Sequence, residues 1–216
     1  MITAAYILAF IVLLVLAYLI GSIPFGVVIG KLFYGVDVRQ HGSGNVGTTN
    51  VFRVLGKKAG VAVLILDMLK GYIPGVIAAW LFHPWFAIFI AAAPVVGHMY
   101  SVFLRFKGGK GIATGAAAVA ALVPLVFLIV VSVWVILVLT TRYVSVASLA
   151  ATTLVPVLTI AFGEPLPYQI AGVLVAVVIW WAHRGNLKRL RAGEENRVRL
   201  PWSGGGRATP HGQGGA

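Results

Sequence analysis

Six long apolar runs decide what this chain can fold into. They cover about residues 3–29, 60–82, 85–104, 112–140, 144–162 and 168–181. A helix of roughly 20 apolar residues crosses a hydrocarbon core of roughly 30 Å, and in lipid a helix keeps every backbone hydrogen bond inside its own segment. Of 216 residues 60% are hydrophobic and only 10% charged, more apolar surface than one water-soluble core can bury. The sequence therefore predicts an all-α polytopic membrane protein. The first run has no basic residue at its start and exceeds the apolar stretch of a secretory signal, so it reads as a retained first helix.

The few charges are one-sided: 17 Lys and Arg against five Asp and Glu, for a formal net charge of +12. Basic residues collect at Lys31, Arg39, Arg53, Lys57 and Lys58, at Arg105, Lys107 and Lys110, and from Arg184 to Arg207, whereas the turns at His83–Pro84 and Gly163–Pro167 have none. Positive charge marks the cytoplasmic side, which puts the N-terminus outside and the C-terminus in the cytoplasm. Parity then requires the run at 112–140 to cross an even number of times, with Pro124 as the break. The expectation is about seven transmembrane helices, two of them short, in one integral membrane domain over 1–199. A Gly-rich, disordered tail over 200–216 follows.

Such a surplus of positive charge implies an anionic partner. Cysteine is absent and the carboxylates Asp37, Asp67, Glu164, Glu194 and Glu195 are scattered along the chain, so no metal centre is expected.

Three basic segments combine charge with glycine. In the first, Gly42-Ser43-Gly44-Asn45-Val46-Gly47-Thr48-Thr49-Asn50 leads into a short helix ended by Gly56. Backbone N–H groups at such a helix start suit a phosphate, with Asn50 and Arg53 on one face beside it. The second, Lys107-Gly108-Gly109-Lys110-Gly111, also precedes an apolar helix and can surround phosphate oxygens. It is not a nucleotide P-loop, because Leu104 stands where the first Gly would be and Gly111 where the magnesium-binding hydroxyl would be. The third is His183-Arg184-Gly185-Asn186, where His183 and Asn186 share a helical face. Ser145 and Ser148, three apart at another helix start, either hydrogen-bond an anion or cap the helix. Asp67 and Lys70, three apart within the second apolar run, form a neutralising structural pair.

Together these segments resemble the bacterial acyl-phosphate:glycerol-3-phosphate acyltransferases (the PlsY family), integral enzymes of phospholipid synthesis. The resemblance runs through Gly21-Ser22-Ile23-Pro24-Phe25-Gly26, Gly42 to Arg53, Asp67-Met68-Leu69-Lys70-Gly71, Gly97-His98, Lys107 to Gly111, His183-Arg184-Gly185-Asn186, and Leu190 to Glu194. It implies essential roles for Ser43 and Arg53, a glycerol 3-phosphate loop at Gly108 to Gly111 with its lysines, activity residues at His183 and Asn186, and a structural glutamate at Glu194. Gly44, Asn45, Gly47, Asn50, Ser145 and Ser148 complete the expected phosphate-binding set.

The implied reaction moves a fatty acyl group from acyl phosphate to the 1-hydroxyl of glycerol 3-phosphate, releasing phosphate, with no cofactor. Either His183 or a substrate phosphate oxygen takes the hydroxyl proton. The pattern of His followed five residues later by Asp, used by soluble-type glycerolipid acyltransferases, is absent, since His41, His83, His98 and His183 lead to Val46, Ile88, Phe103 and Lys188. The expected partners are the two phosphorylated substrates and the bilayer, not nucleic acid, with the site on the cytoplasmic face of a bacterial plasma membrane. A transporter of a phosphorylated solute is the competing reading, as broken helices also bind anions in carriers.

Overall fold

The computed structural model describes residues 3–198, so the tail expected over 200–216 lies outside the described residues. The chain is a bundle of helices, and prolines decide where they break. Helix α1, Ala4–Ser22, is capped by the Thr3 hydroxyl, which accepts from the Tyr6 amide at 3.3 Å. The apolar run continues past this helix, but Pro24 cannot donate to the ladder. At Ile23 the chain turns extended, and α2, Phe25–Tyr34, starts afresh. One continuous first helix over about 3–29 is thus replaced by two.

Gly35, left-handed at φ 64°, stops α2. A loop with a single 3-10 turn at Val38–Gln40 leads to α3, Thr48–Leu55, which Gly56 ends. Then come α4, Lys57–Leu81; α5, Pro84–Met99; α6, Ile112–Leu122; α7, Pro124–Thr141; α8, Val144–Ala161; α9, Leu166–Ala182; and α10, Arg184–Arg191. Pro84 and Pro124 each occupy a first helical position, where the missing N–H costs nothing. The run at 112–140 does split at Pro124, but unevenly: α6 has 11 residues and α7 has 18. At 1.5 Å per residue α6 is too short to cross a hydrocarbon core unaided.

Among the described residues five helices are long and apolar enough to span a membrane: α1, α4, α5 with the turn that follows it, α7 and α8. Helix α9 joins them when taken with α10, to which it is bent by 55°. Large apolar side chains such as Leu8, Trp80 and Val177 point outward, as suits a molecule whose solvent is lipid. The chain is a multi-pass membrane protein.

Inside the bundle small residues let backbones touch, since lipid leaves packing rather than hydrophobicity to hold helices together. A Cβ at Gly21 would overlap the Pro94 backbone and one at Gly97 the Tyr18 carbonyl, fixing α1 against α5. A Cβ at Gly71 would overlap the Thr114 carbonyl, fixing α4 against α6. Two apolar clusters then support the polar end. Val38, Val46, Val51 and Val63 seat the 35–56 loop on α4, and Val95, Met99, Ala118 and Ile179 join α5, α6 and α9.

Candidate active site

Four polar segments meet at one end of this bundle: the loop before α3, the loop between α5 and α6, the start of α8, and the chain from His183 to Val198. The last two are tied together by the Val198 amide donating to the Arg142 carbonyl at 2.8 Å and by Arg197 Nε donating to the Tyr143 hydroxyl at 2.9 Å. At the other end lie the start of α1 and the turn at His83, whose amide donates to the Tyr6 hydroxyl.

Asn50 organises the first loop. Its Nδ2 donates to the carbonyls of Val38, His41 and Asn45 at 2.9 to 3.1 Å, and its Oδ1 accepts from the Ser43 amide at 2.8 Å. Asn45 Oδ1 in turn accepts from the Gly47 amide at 2.8 Å. These bonds turn Asn50, Asn45 Oδ1 and the Gly47 N–H inward, against the expectation that they face a phosphate, while Asn45 Nδ2 has no partner among the described residues. Ser43 and Gly44 are left on the exposed rim, and Arg53, also exposed, projects from α3. Gly42 is left-handed at φ 62° and a Cβ there would overlap Asn50 Oδ1, so the loop closes this tightly only around glycine.

The second loop is pinned in the same way. The Gly108 amide donates to the Met99 carbonyl at 3.0 Å and the Gly109 amide to the His98 carbonyl at 2.9 Å. Neither amide is therefore free for a phosphate, again a correction. What the loop presents is Lys107, exposed, Lys110, half-buried, and the start of α6, where Gly111 is left-handed at φ 75° and no side chain caps the first turn.

Lys110 Nζ donates to Asn186 Oδ1, joining the second loop to α10. The Asn186 amide then donates to Glu195 Oε1 at 2.6 Å, and Arg189 Nε donates to Glu195 Oε2 at 2.8 Å. Burial works to raise the Glu195 carboxyl, but the Asn186 and Arg189 hydrogen bonds overcome it and hold Glu195 below its ordinary range. Burial pushes the Lys110 ammonium down to about 8, with Glu195 opposing and the cationic Arg189 and Arg53 adding to the fall. Arg53, Lys110 and Arg189 therefore act on one small region. His183 sits at the bend between α9 and α10, almost wholly buried, with Nδ1 2.8 Å from the Ile179 carbonyl. A carbonyl only accepts, so Nδ1 carries the proton and Nε2 keeps a lone pair.

Three further expected residues have these places in the structure. Glu194 is exposed, whereas its neighbour Glu195 holds Asn186 and Arg189. Ser148 accepts from Trp134 Nε1 at 3.2 Å and belongs to the packing of α7 on α8. Ser145 is buried beside Glu195, its hydroxyl outside hydrogen-bond geometry. Asp67 and Lys70 lie 2.7 Å apart, both buried, and the sequence reasoning missed their third neighbour, His98, whose Nδ1 is 2.9 Å from Lys70 Nζ. Gly97-His98 was visible as a motif, but nothing local linked it to α4. No group of His, Asp and Glu able to hold a metal ion occurs among the described residues.

A family model described as glycerol-3-phosphate acyltransferase matches residues 11–193 of this chain. A glycerol-3-phosphate acyltransferase of Geobacillus kaustophilus is 43% identical over 189 residues, covering 88% of this chain and 96% of that protein. One from Aquifex aeolicus is 48% identical over 187 residues, covering 86% and 97%. The crystal structure of PlsY (YgiH), an integral membrane glycerol 3-phosphate acyltransferase, in its glycerol 3-phosphate form is similar with a TM-score of 0.86. It is 46% identical, and the match covers 88% of this chain and 96% of that one. The lysophosphatidic acid form of that protein gives 0.83 at the same identity and coverage. The family match takes in all three glycine-bearing segments and stops just short of Glu194 and Glu195.

Proposed function

Because this chain belongs to the glycerol-3-phosphate acyltransferase family, we propose that the four segments at the polar end of the bundle are its acyl-transfer site, facing the cytoplasm. The protein is a membrane acyltransferase acting on glycerol 3-phosphate, with lysophosphatidic acid as product. The observation that carries the assignment of the site is the chain Lys110, Asn186, Glu195 and Arg189. It joins the second loop to α10 beside His183, with Arg53 at its edge.

Lys110, Arg53 and the uncapped start of α6 receive phosphate oxygens, and Ser43 on the exposed rim hydrogen-bonds the second phosphorylated substrate. With acyl phosphate as donor, the 1-hydroxyl oxygen attacks the acyl carbon, the ester C–O bond forms and the bond to the phosphate oxygen breaks. Phosphate is already a stable leaving group, so orientation and neutralisation of its charge supply most of the catalysis. His183 Nε2 accepts the hydrogen bond of the attacking hydroxyl and so orients its oxygen toward the acyl carbon, and the hydroxyl proton ends on the released phosphate, directly or by way of Nε2, while Asn186, held by Glu195, fixes Lys110. The acyl chain extends from this polar end into the lipid-facing side of the bundle.

The cytoplasmic orientation is supported by the charge bias: the segments from Lys31 to Lys58, from Arg105 to Lys110 and from Arg184 onward carry almost all Lys and Arg. Purified protein in detergent, given acyl phosphate and glycerol 3-phosphate, is expected to form 1-acylglycerol 3-phosphate and free phosphate in equal amounts. His183→Ala should lower kcat by about a hundredfold or more. Product formation at the wild-type rate by that variant at saturating substrates would remove His183 from the reaction. No product from the wild-type protein, with uptake of a phosphorylated solute into proteoliposomes, would favour a transporter.

A further inference from the structure

Lys70 and Asp67 lie in the middle of α4, each about 2% exposed in its side chain. Two charges taken out of water cost several kcal/mol each unless partners satisfy them. Here Lys70 Nζ is ion-paired with Asp67 Oδ1 at 2.7 Å and hydrogen-bonds His98 Nδ1 at 2.9 Å and the Ile23 carbonyl at 3.1 Å. Neutralising two charges requires only the first of these partners. The other two lead out of α4, to the break between α1 and α2 and to the end of α5.

An ammonium only donates, so His98 Nδ1 accepts and the ring proton sits on Nε2. The Nε2 edge faces the second loop. A Cβ at Gly109 would overlap Nε2 and would come within 3.0 Å of Cδ2 and 3.2 Å of Cε1. A Cβ at Gly108 would overlap the His98 carbonyl, the group that accepts from the Gly109 amide. Both glycines therefore rest on one residue, His98, and the next residue is Lys110. The end of α5 is held from the far side too, by the Ser101 hydroxyl donating to the Ser22 carbonyl at 2.5 Å.

We propose that the buried Asp67, Lys70 and His98 cluster is a positioning device for the second loop: Lys70 fixes the His98 ring, the ring forms the floor on which Gly109 rests, and that floor sets where Lys110 presents its charge. The inference rests on the reading that this loop receives the phosphate of glycerol 3-phosphate. It gives His98 a role, and it gives the charges of α4 a purpose beyond neutralising one another. It also accounts for Gly109 without calling on its amide as a phosphate ligand.

The test is a double-mutant cycle on Gly109→Ala and His98→Asn. Asparagine keeps an acceptor where Nδ1 meets Lys70, so the buried charges stay satisfied, but it removes Cε1 and Nε2, the edge that a new Cβ would strike. Alone, Gly109→Ala is expected to raise the KM for glycerol 3-phosphate about tenfold or more. In the His98→Asn background the same change should raise it by less than about threefold, a coupling of roughly 0.7 kcal/mol or more. An equal factor in both backgrounds overturns the proposal. A purely structural role would lower the melting temperature and the active fraction, hence the apparent kcat, and leave KM alone.

Should His98→Asn fail to fold, the paired change Asp67→Asn with Lys70→Met removes both charges at similar shape. It is expected to raise the same KM with kcat within about threefold, and an unchanged KM overturns the role of Lys70. If Gly109→Ala instead raises only the KM for acyl phosphate, the assignment of the loop to glycerol 3-phosphate is wrong. Its rescue by His98→Asn would still report on the cluster.

Discussion

At the scale of single residues, the site works through charges that are partly withdrawn from water. Lys110 is held near 8 by burial and by neighbouring cations, so it is charged at neutral pH and loses its proton as pH rises past that value. The neutral amine binds phosphate poorly. The pH profile of kcat/KM for glycerol 3-phosphate should therefore show a descending limb near pH 8 that reports the free enzyme. Bound phosphate favours the ammonium, so the limb in kcat should lie higher. Lys110→Arg should abolish the limb across the alkaline range, because a guanidinium stays charged, and a limb that persists in that variant would assign it to another group. Such residues were legible as types: Ser43, Arg53, Lys110, His183 and Asn186 stand in recognisable company. Their hydrogen-bond partners were not. Asn50 reads in sequence as a polar residue beside an arginine, and only the closed loop shows its amide used up by three carbonyls and an N–H. Glu194 and Glu195 cannot be told apart along the chain, because the choice between them depends on which way the segment after α10 turns.

At the scale of elements, proline and glycine set the breaks and the crossings. Pro124 was readable as a break, and Pro24 acts as one inside a run that hydropathy alone makes continuous. The crossing of α4 and α6 depends on Gly71, where a Cβ would overlap the Thr114 carbonyl. Since backbone cannot retreat as a flexible side chain can, Gly71→Ala is expected to cost about 1–3 kcal/mol. It should lower the melting temperature in detergent by several degrees and reduce activity, because α6 carries the end of the second loop. Gly163→Ala is the control for glycine substitution itself, as its Cβ would meet nothing within 4 Å although its φ of 66° adds some strain. Equal losses in the two variants would show that the crossing is not what Gly71 provides. Sequence reveals that Gly71 lies in an apolar run, but which carbonyl it faces is a matter of how two helices cross.

At the scale of the whole molecule, the positive charge of the described residues is gathered at one end, apart from the buried Lys70. The turns at His83 and Gly163 lie at the opposite end from Arg142 and the segment after His183. Reporter fusions are expected to place residues 142 and 191 on one side of the membrane and residues 83 and 163 on the other. Opposite locations for 142 and 191 would break the parity on which the cytoplasmic site depends.

The amino-acid sequence by itself determined the membrane setting, the helical class, the three glycine-bearing basic segments and, through their resemblance, the family. All of these are carried by local composition and order. The tertiary structure alone decided which polar atoms remain open to substrate, which of two adjacent glutamates orders Asn186, and how His98 comes to lie between the charges of α4 and the second loop. Those outcomes rest on contacts between segments distant in sequence, from Lys70 to His98 and from Lys110 to Asn186. Such contacts are fixed by how closely the helices can approach one another, and that has no signature in any single stretch of chain.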